Sequence, residues 1–133
     1  MSDVICVPIN SDKDIVTARQ EGRSLALELG FSETDSALIA TAISELARNI
    51  VTYAKRGEVH IGTATDAHRE GILVVAKDKG SGIANVRLAL QDGFSTSGSL
   101  GLGLPGVKRL MDDFELVTDV GRGTTVTIRK WKE

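Results

Sequence analysis

The chain has 133 residues, of which 41% are hydrophobic and 26% charged. That is one domain's worth, and it is too apolar for a disordered chain. Lys plus Arg total 16 against 18 Asp plus Glu, a net charge of −2, where a nucleic-acid binder carries a basic excess. No window approaches the roughly 18 continuous apolar residues of a membrane span, and Met1-Ser2-Asp3-Val4 does not begin a signal peptide. The single cysteine, Cys6, excludes an internal disulfide, and no spacing resembles a zinc-ligand pair. These features predict one cytoplasmic domain over residues 1–133.

Residues 3–9 alternate as a short strand. Ser11-Asp12-Lys13-Asp14 then reads as a helix start, and Ile15, Gly22, Leu25, Ala26 and Leu29 fall on one helical face before Gly30. Ser32-Glu33-Thr34-Asp35 repeats the start signal. Ile39, Ala42, Ile43, Leu46, Ile50 and Tyr53 continue at helical spacing until Gly57. Residues 59–63 alternate as a strand. The apolar run Ile72-Leu73-Val74-Val75-Ala76, ending in Lys77-Asp78, predicts a strand covered on both faces. Residues 79–103 read as loop with a short amphipathic segment from Asn85 to Leu90, and Pro105 opens a helix to about Met111. Strands 114–119 and 124–131 flank Val120-Gly121-Arg122-Gly123, a hairpin signal. The elements cluster rather than alternate. This predicts an α+β two-layer sandwich, a mixed and largely antiparallel sheet with helices on one face.

Four features could carry chemistry. Glu45 and Asn49 stand four apart on the second helix and point about 40° apart, so both can face one ligand. Alone the pair also fits a solvated helix face, but Leu46 and Ile50 place it beside the buried stripe. Asp78-Lys79-Gly80-Ser81-Gly82-Ile83 follows an apolar strand; a carboxylate there can accept from a ligand amine, and the glycines let backbone approach a flat ring. The same residues also suit a glycine turn. Ser97-Gly98-Ser99-Leu100-Gly101-Leu102-Gly103-Leu104-Pro105-Gly106 contains a formal Gly-x-Gly-x-x-Gly, but no strand precedes it directly and no βαβ unit follows, which excludes a dinucleotide fold. Amides ahead of a helix start still suit phosphate, though a plain flexible loop has the same composition. Gly121-Arg122-Gly123-Thr124 by itself is a hairpin turn.

P-loop and eukaryotic-kinase motifs are absent. His60 on a strand and His68 in a turn read as surface residues, Cys6 as a small strand or core residue, and Phe114 and Trp131 as packing residues.

Taken in order, Glu-x-x-x-Asn, Asp-x-Gly-x-Gly, a Gly-x-Gly loop entering a helix and Gly-x-Gly-Thr in a hairpin resemble the ATP-binding signature of the GHKL superfamily, over about residues 35–131. A chain this short leaves no room for added dimerisation or phospho-acceptor domains, which points to the stand-alone serine-kinase branch. Within it, Ala42-Ile43-Ser44-Glu45-Leu46-Ala47-Arg48-Asn49-Ile50, Asp92-Gly93-Phe94-Ser95-Thr96-Ser97-Gly98 and Gly101 to Met111 are similar to RsbT-like switch kinases of the bacterial stressosome. Anti-sigma-factor kinases of the branch usually carry His four residues after the Asn, where this chain has Tyr53.

The resemblance implies ATP and Mg²⁺ as cofactors. Asp78 would bind the adenine amino group with Gly80, Gly82, Ile83 and Thr124 around the ring. Asn49 would be the metal ligand. Residues 84–100 would form a lid, with Ser97, Gly98, Gly101, Leu102, Gly103 and Leu104 at the phosphates. Glu45 would be the catalytic base, while Arg48 and Lys108 read better as helix-surface charges than as phosphate contacts. Substrates would be STAS-domain antagonists and scaffolds, and the later partner a PP2C-type phosphatase. The alternatives are an anti-sigma-factor kinase, or a nucleotide-gated binding module without transfer.

Overall fold

The computed structural model describes residues 4–80 and 103–132. The element order is β1 (Ile5–Ile9), α1 (Asp12–Glu28), α2 (Glu33–Asn49), a π-helical turn (Ile50–Ala54), β2 (Gly57–Asp66), β3 (Arg69–Asp78), α3 (Gly103–Leu110), β4 (Asp113–Asp119) and β5 (Gly123–Trp131). The predicted segment from Asn85 to Leu90 and the lid at 84–100 lie outside the described residues.

Local chemistry sets the helix ends. The Asp14 carboxylate accepts from the backbone N–H groups of Asn10 (2.8 Å) and Ser11 (3.1 Å), closing the start of α1. Gly30, at φ 96, ends it: its N–H donates to Leu27 O while that of Phe31 donates to Ala26 O. This pair of bonds turns the chain sharply and drops Phe31 into the core. Ser32 Oγ accepts from Asp35 N–H at 3.0 Å and starts α2.

The sheet runs β1-β2-β3-β5-β4, and every described pairing is antiparallel. Register divides its residues cleanly. Val7, Val59, Ala76, Val126 and Leu116 lie in one cross-strand row, and Ile5, Ile61, Val74, Ile128 and Phe114 in the next. These rows join Ala18, Ile39, Ile43, Leu46 and Val107 from the helices in a single core. Each large aliphatic side chain so buried contributes about 1.5–3 kcal/mol. α2 packs against both α1 and α3. Gly22 of α1 makes that packing close, since a Cβ there would run into the Ile43 side chain.

Two expectations need correction. Leu73 and Val75 are half-buried, not buried, so β3 is covered on one face only by the described elements. A run without polar residues conceals this, because burial follows the period of two. Tyr53 is 52% exposed and leaves the apolar stripe of α2. The wider π turn rotates it out of phase, and Lys55, at φ 74, closes that turn by donating to Ile50 O at 2.8 Å. Trp131 also does more than pack: its ring lies 4.2 Å from the Arg69 guanidinium.

Candidate active site

Asp78 is the last residue of β3, opposite Gly57 on one side and Thr124 on the other. Its Oδ1 accepts from Gly80 N–H at 2.9 Å and from Thr124 N–H at 3.3 Å. Among the described residues the second oxygen, Oδ2, makes no hydrogen bond. Backbone donors thus fix the carboxylate without neutralising it.

Glycines make that strand end accessible. At Gly57 a Cβ would strike Lys77 O, and at Gly123, with φ 127, it would strike Asp78 O. At Gly80 it would come within 2.8 Å of Ala54 Cβ and 3.2 Å of Asp78 Oδ1. Three glycines from three segments therefore pack against the end of β3, Gly80 beside the Asp78 carboxylate and Gly57 and Gly123 against its backbone, which neither the hairpin reading of Gly121–Thr124 nor the helix-stop reading of Gly57 anticipates. The Thr124 hydroxyl is held 2.9 Å from that of Thr118, which in turn donates to Gly123 O at 3.2 Å. Thr118 is a supporting residue that the sequence did not single out.

Glu45 and Asn49 stand on the last turns of α2, Glu45 at 9% exposure and Asn49 half-buried. The π turn begins at the next residue, and its side chains tie the helix end to the strand end: Ile50 lies against Gly57, and Ala54 against Gly80. Glu45 Oε2 accepts from the N–H of Gly103, the first residue of α3, at 3.4 Å. A carboxylate at a helix N-terminus is electrostatically favoured there. Gly103 has φ 65 and starts α3, which places Pro105 in the first turn as expected. Leu104 is buried in the core, so only its backbone is available to a ligand. Arg48 and Lys108 are exposed, as surface charges are. Gly82, Ile83, Ser97, Gly98, Gly101 and Leu102 lie outside the described residues.

The arrangement is a rigid acceptor at a strand end, a carboxylate–amide pair one helix away, and backbone amides at a third helix start. The family model for the histidine kinase-like ATPase domain matches residues 9–130. This chain belongs to that family. Within it, the chain is 53% identical over 131 residues to the serine/threonine-protein kinase RsbT of Bacillus subtilis (strain 168), covering 98% of both chains, and so groups with the RsbT-type serine/threonine-protein kinases. An anti-sigma F factor of Geobacillus sp. (strain WCH70) is 31% identical over 101 residues, 70% of this chain and 67% of the relative. Among solved structures, the RsbU and RsbW domains of Rv1364c from Mycobacterium tuberculosis superpose with a TM-score of 0.67 at 19% identity, covering 100% of this chain and 33% of that one, a likeness of fold. ATP binding goes with the ATPase-domain family. The GHKL resemblance and the α+β sandwich expected from the sequence are both borne out. No described helix is long and apolar enough to cross a membrane.

Proposed function

We propose that this ATPase-domain protein is an ATP- and Mg²⁺-dependent serine/threonine protein kinase. It phosphorylates STAS-domain antagonist and scaffold proteins in the cytoplasm, then changes partner and activates a PP2C-type phosphatase. One observation carries the reading: Glu45 is the only buried ionisable side chain among the described residues, and it lies one helical turn from Asn49. A buried carboxylate one turn from a metal-ligand candidate suits a base for an acceptor hydroxyl, which a module that only bound nucleotide does not need.

In this reading Asp78 accepts from the adenine amino group at the end of β3, where Gly80 lies beside the carboxylate. Asn49 would hold Mg²⁺ through its amide oxygen, and the ion would offset phosphate charge. Its neutral acceptor oxygen suits a hard cation, which is held by oxygen ligands. Glu45 receives the proton of the serine or threonine hydroxyl as that oxygen bonds to the γ-phosphorus, and the bond from phosphorus to the bridging oxygen of ADP breaks. A carboxylate is a weak base, so positioning of the hydroxyl supplies most of the acceleration.

Incubation with ATP, Mg²⁺ and a candidate STAS protein, read by mass spectrometry, tests the proposal. The expected result is a mass increase of one phosphate on a serine or threonine of the STAS protein. Absence of phosphate with every STAS candidate, despite calorimetric binding of ATP, would refute the transfer activity and leave a nucleotide-gated binder.

A further inference from the structure

The face of the sheet that no described helix covers holds a second group of ligating side chains, remote from the chemistry just described. Cys6 on β1 and His60 on β2 are directly paired in register. Glu58 is two residues from His60 and so shares its face. The three converge: Cys6 Sγ is 3.8 Å from Glu58 Oε2 and 3.9 Å from His60 Nε2, and His60 Nε2 is 3.0 Å from Glu58 Oε1. Cys6 is exposed, and the other two are half-buried.

With one donor atom from each residue, the three atoms lie within 4.8 Å of one another. Bonds of about 2.3 Å from zinc to sulfur and about 2.0–2.1 Å to nitrogen or oxygen imply ligand separations of roughly 3.3–3.6 Å, so rotation of the Cys6 and Glu58 side chains has to draw the donors together around an ion. The donors are one soft sulfur, one imidazole nitrogen and one carboxylate oxygen, a mixture that favours zinc over magnesium or calcium. A thiolate and a carboxylate together also balance the ion's two charges.

We propose that Cys6, Glu58 and His60 form a zinc site on the open face of the sheet. On binding, the Cys6 thiol releases its proton to solvent, His60 offers the Nε2 lone pair, and Glu58 gives one carboxylate oxygen. The fourth position opens on to that face, where water completes the shell. The site stands apart from Glu45, Asn49 and Asp78, so its loading is independent of nucleotide.

The test is a titration of the purified full chain with cobalt(II), a visible-absorbing probe of zinc sites, without nucleotide. The expected result is one equivalent bound, with a near-ultraviolet thiolate-to-cobalt band and the visible bands of tetrahedral cobalt, all bleached by zinc. Cys6→Ser should lose the near-ultraviolet band, and Glu58→Gln should weaken uptake while keeping it. Circular dichroism of each variant checks the fold; should Cys6→Ser not fold, Glu58→Gln and His60→Gln carry the comparison. A wild-type chain without the thiolate band, or variants that titrate like the wild type, would overturn the site.

Discussion

The two faces of the sheet are built on the same five strands and do different work. On the helix side, Ile61, Ile72, Val74 and Ile128 are almost wholly buried, and the row continues into the helices. On the other side, Cys6, His60, Val75, Thr127 and Glu115 form one cross-strand row of half-buried and exposed residues, with Val117 60% exposed beside it. One face is apolar and holds the fold. The other tolerates sulfur, imidazole and carboxylate side by side. The residues proposed for nucleotide binding and phosphoryl transfer belong to neither face: Asp78 sits where β3 ends, and Glu45 and Asn49 where α2 ends. Strand and helix ends offer unpaired backbone groups, and a ligand can use them without opening the core.

The contrast can be broken most directly by truncation in adjacent positions. Ile128→Ala removes a side chain with no exposed surface and should cost about 2–5 kcal/mol in urea unfolding. Thr127→Ala, one residue away on the open face, should stay within about 0.5 kcal/mol. Equal losses would mean that something covers both faces.

Next in size is the carboxylate buried in the helical layer. Glu45→Gln keeps an acceptor for Gly103 N–H but cannot take a proton. Transfer to the proposed STAS-domain substrate should fall by roughly 10²–10⁴-fold, while ATP affinity by calorimetry stays the same. Wild-type turnover in this variant would assign the residue to packing alone. Asp78→Asn is the counterpart at the strand end. The backbone donors keep a partner, the charge is lost, and ATP affinity should weaken by roughly 10–100-fold, as for loss of a charged hydrogen bond. Unchanged affinity would place the adenine elsewhere.

Much of this was legible in the sequence because its signals are local. The helix starts at Ser11 and Ser32, the stop at Gly30 and the hairpin between β4 and β5 each depend on a few neighbouring residues, and each stands within a residue or two of expectation. The Glu45–Asn49 pair followed from helical period alone. What could not be read depends on register across strands. The glycine collar of Asp78 joins residues 57, 80 and 123, and Cys6 meets Glu58 and His60 across more than 50 positions. No linear spacing encodes either group. The π turn was hidden for a different reason: the apolar spacing of α2 continues through Ile50 and Tyr53, although β-branched Ile50, Val51 and Thr52 are weak helix formers, and Lys55 closes the turn at an unusual backbone angle.

The smallest effect probes whether the covered layer is as fully satisfied as its apolar rows suggest. Ser36 on α2 has no exposed surface, and its hydroxyl finds no hydrogen-bond partner among the described residues. An unpaired buried hydroxyl is unfavourable, and alanine is the better helix former by about 0.5 kcal/mol. Ser36→Ala should therefore stabilise the fold by about 1 kcal/mol, read as a rise of roughly 3–5 °C in Tm. The substitution touches neither Asp78 nor Glu45, so phosphoryl transfer should not change with it. A fall in Tm would show that this hydroxyl is bonded in solution, and that the helical layer depends on a polar contact as well as on its aliphatic packing.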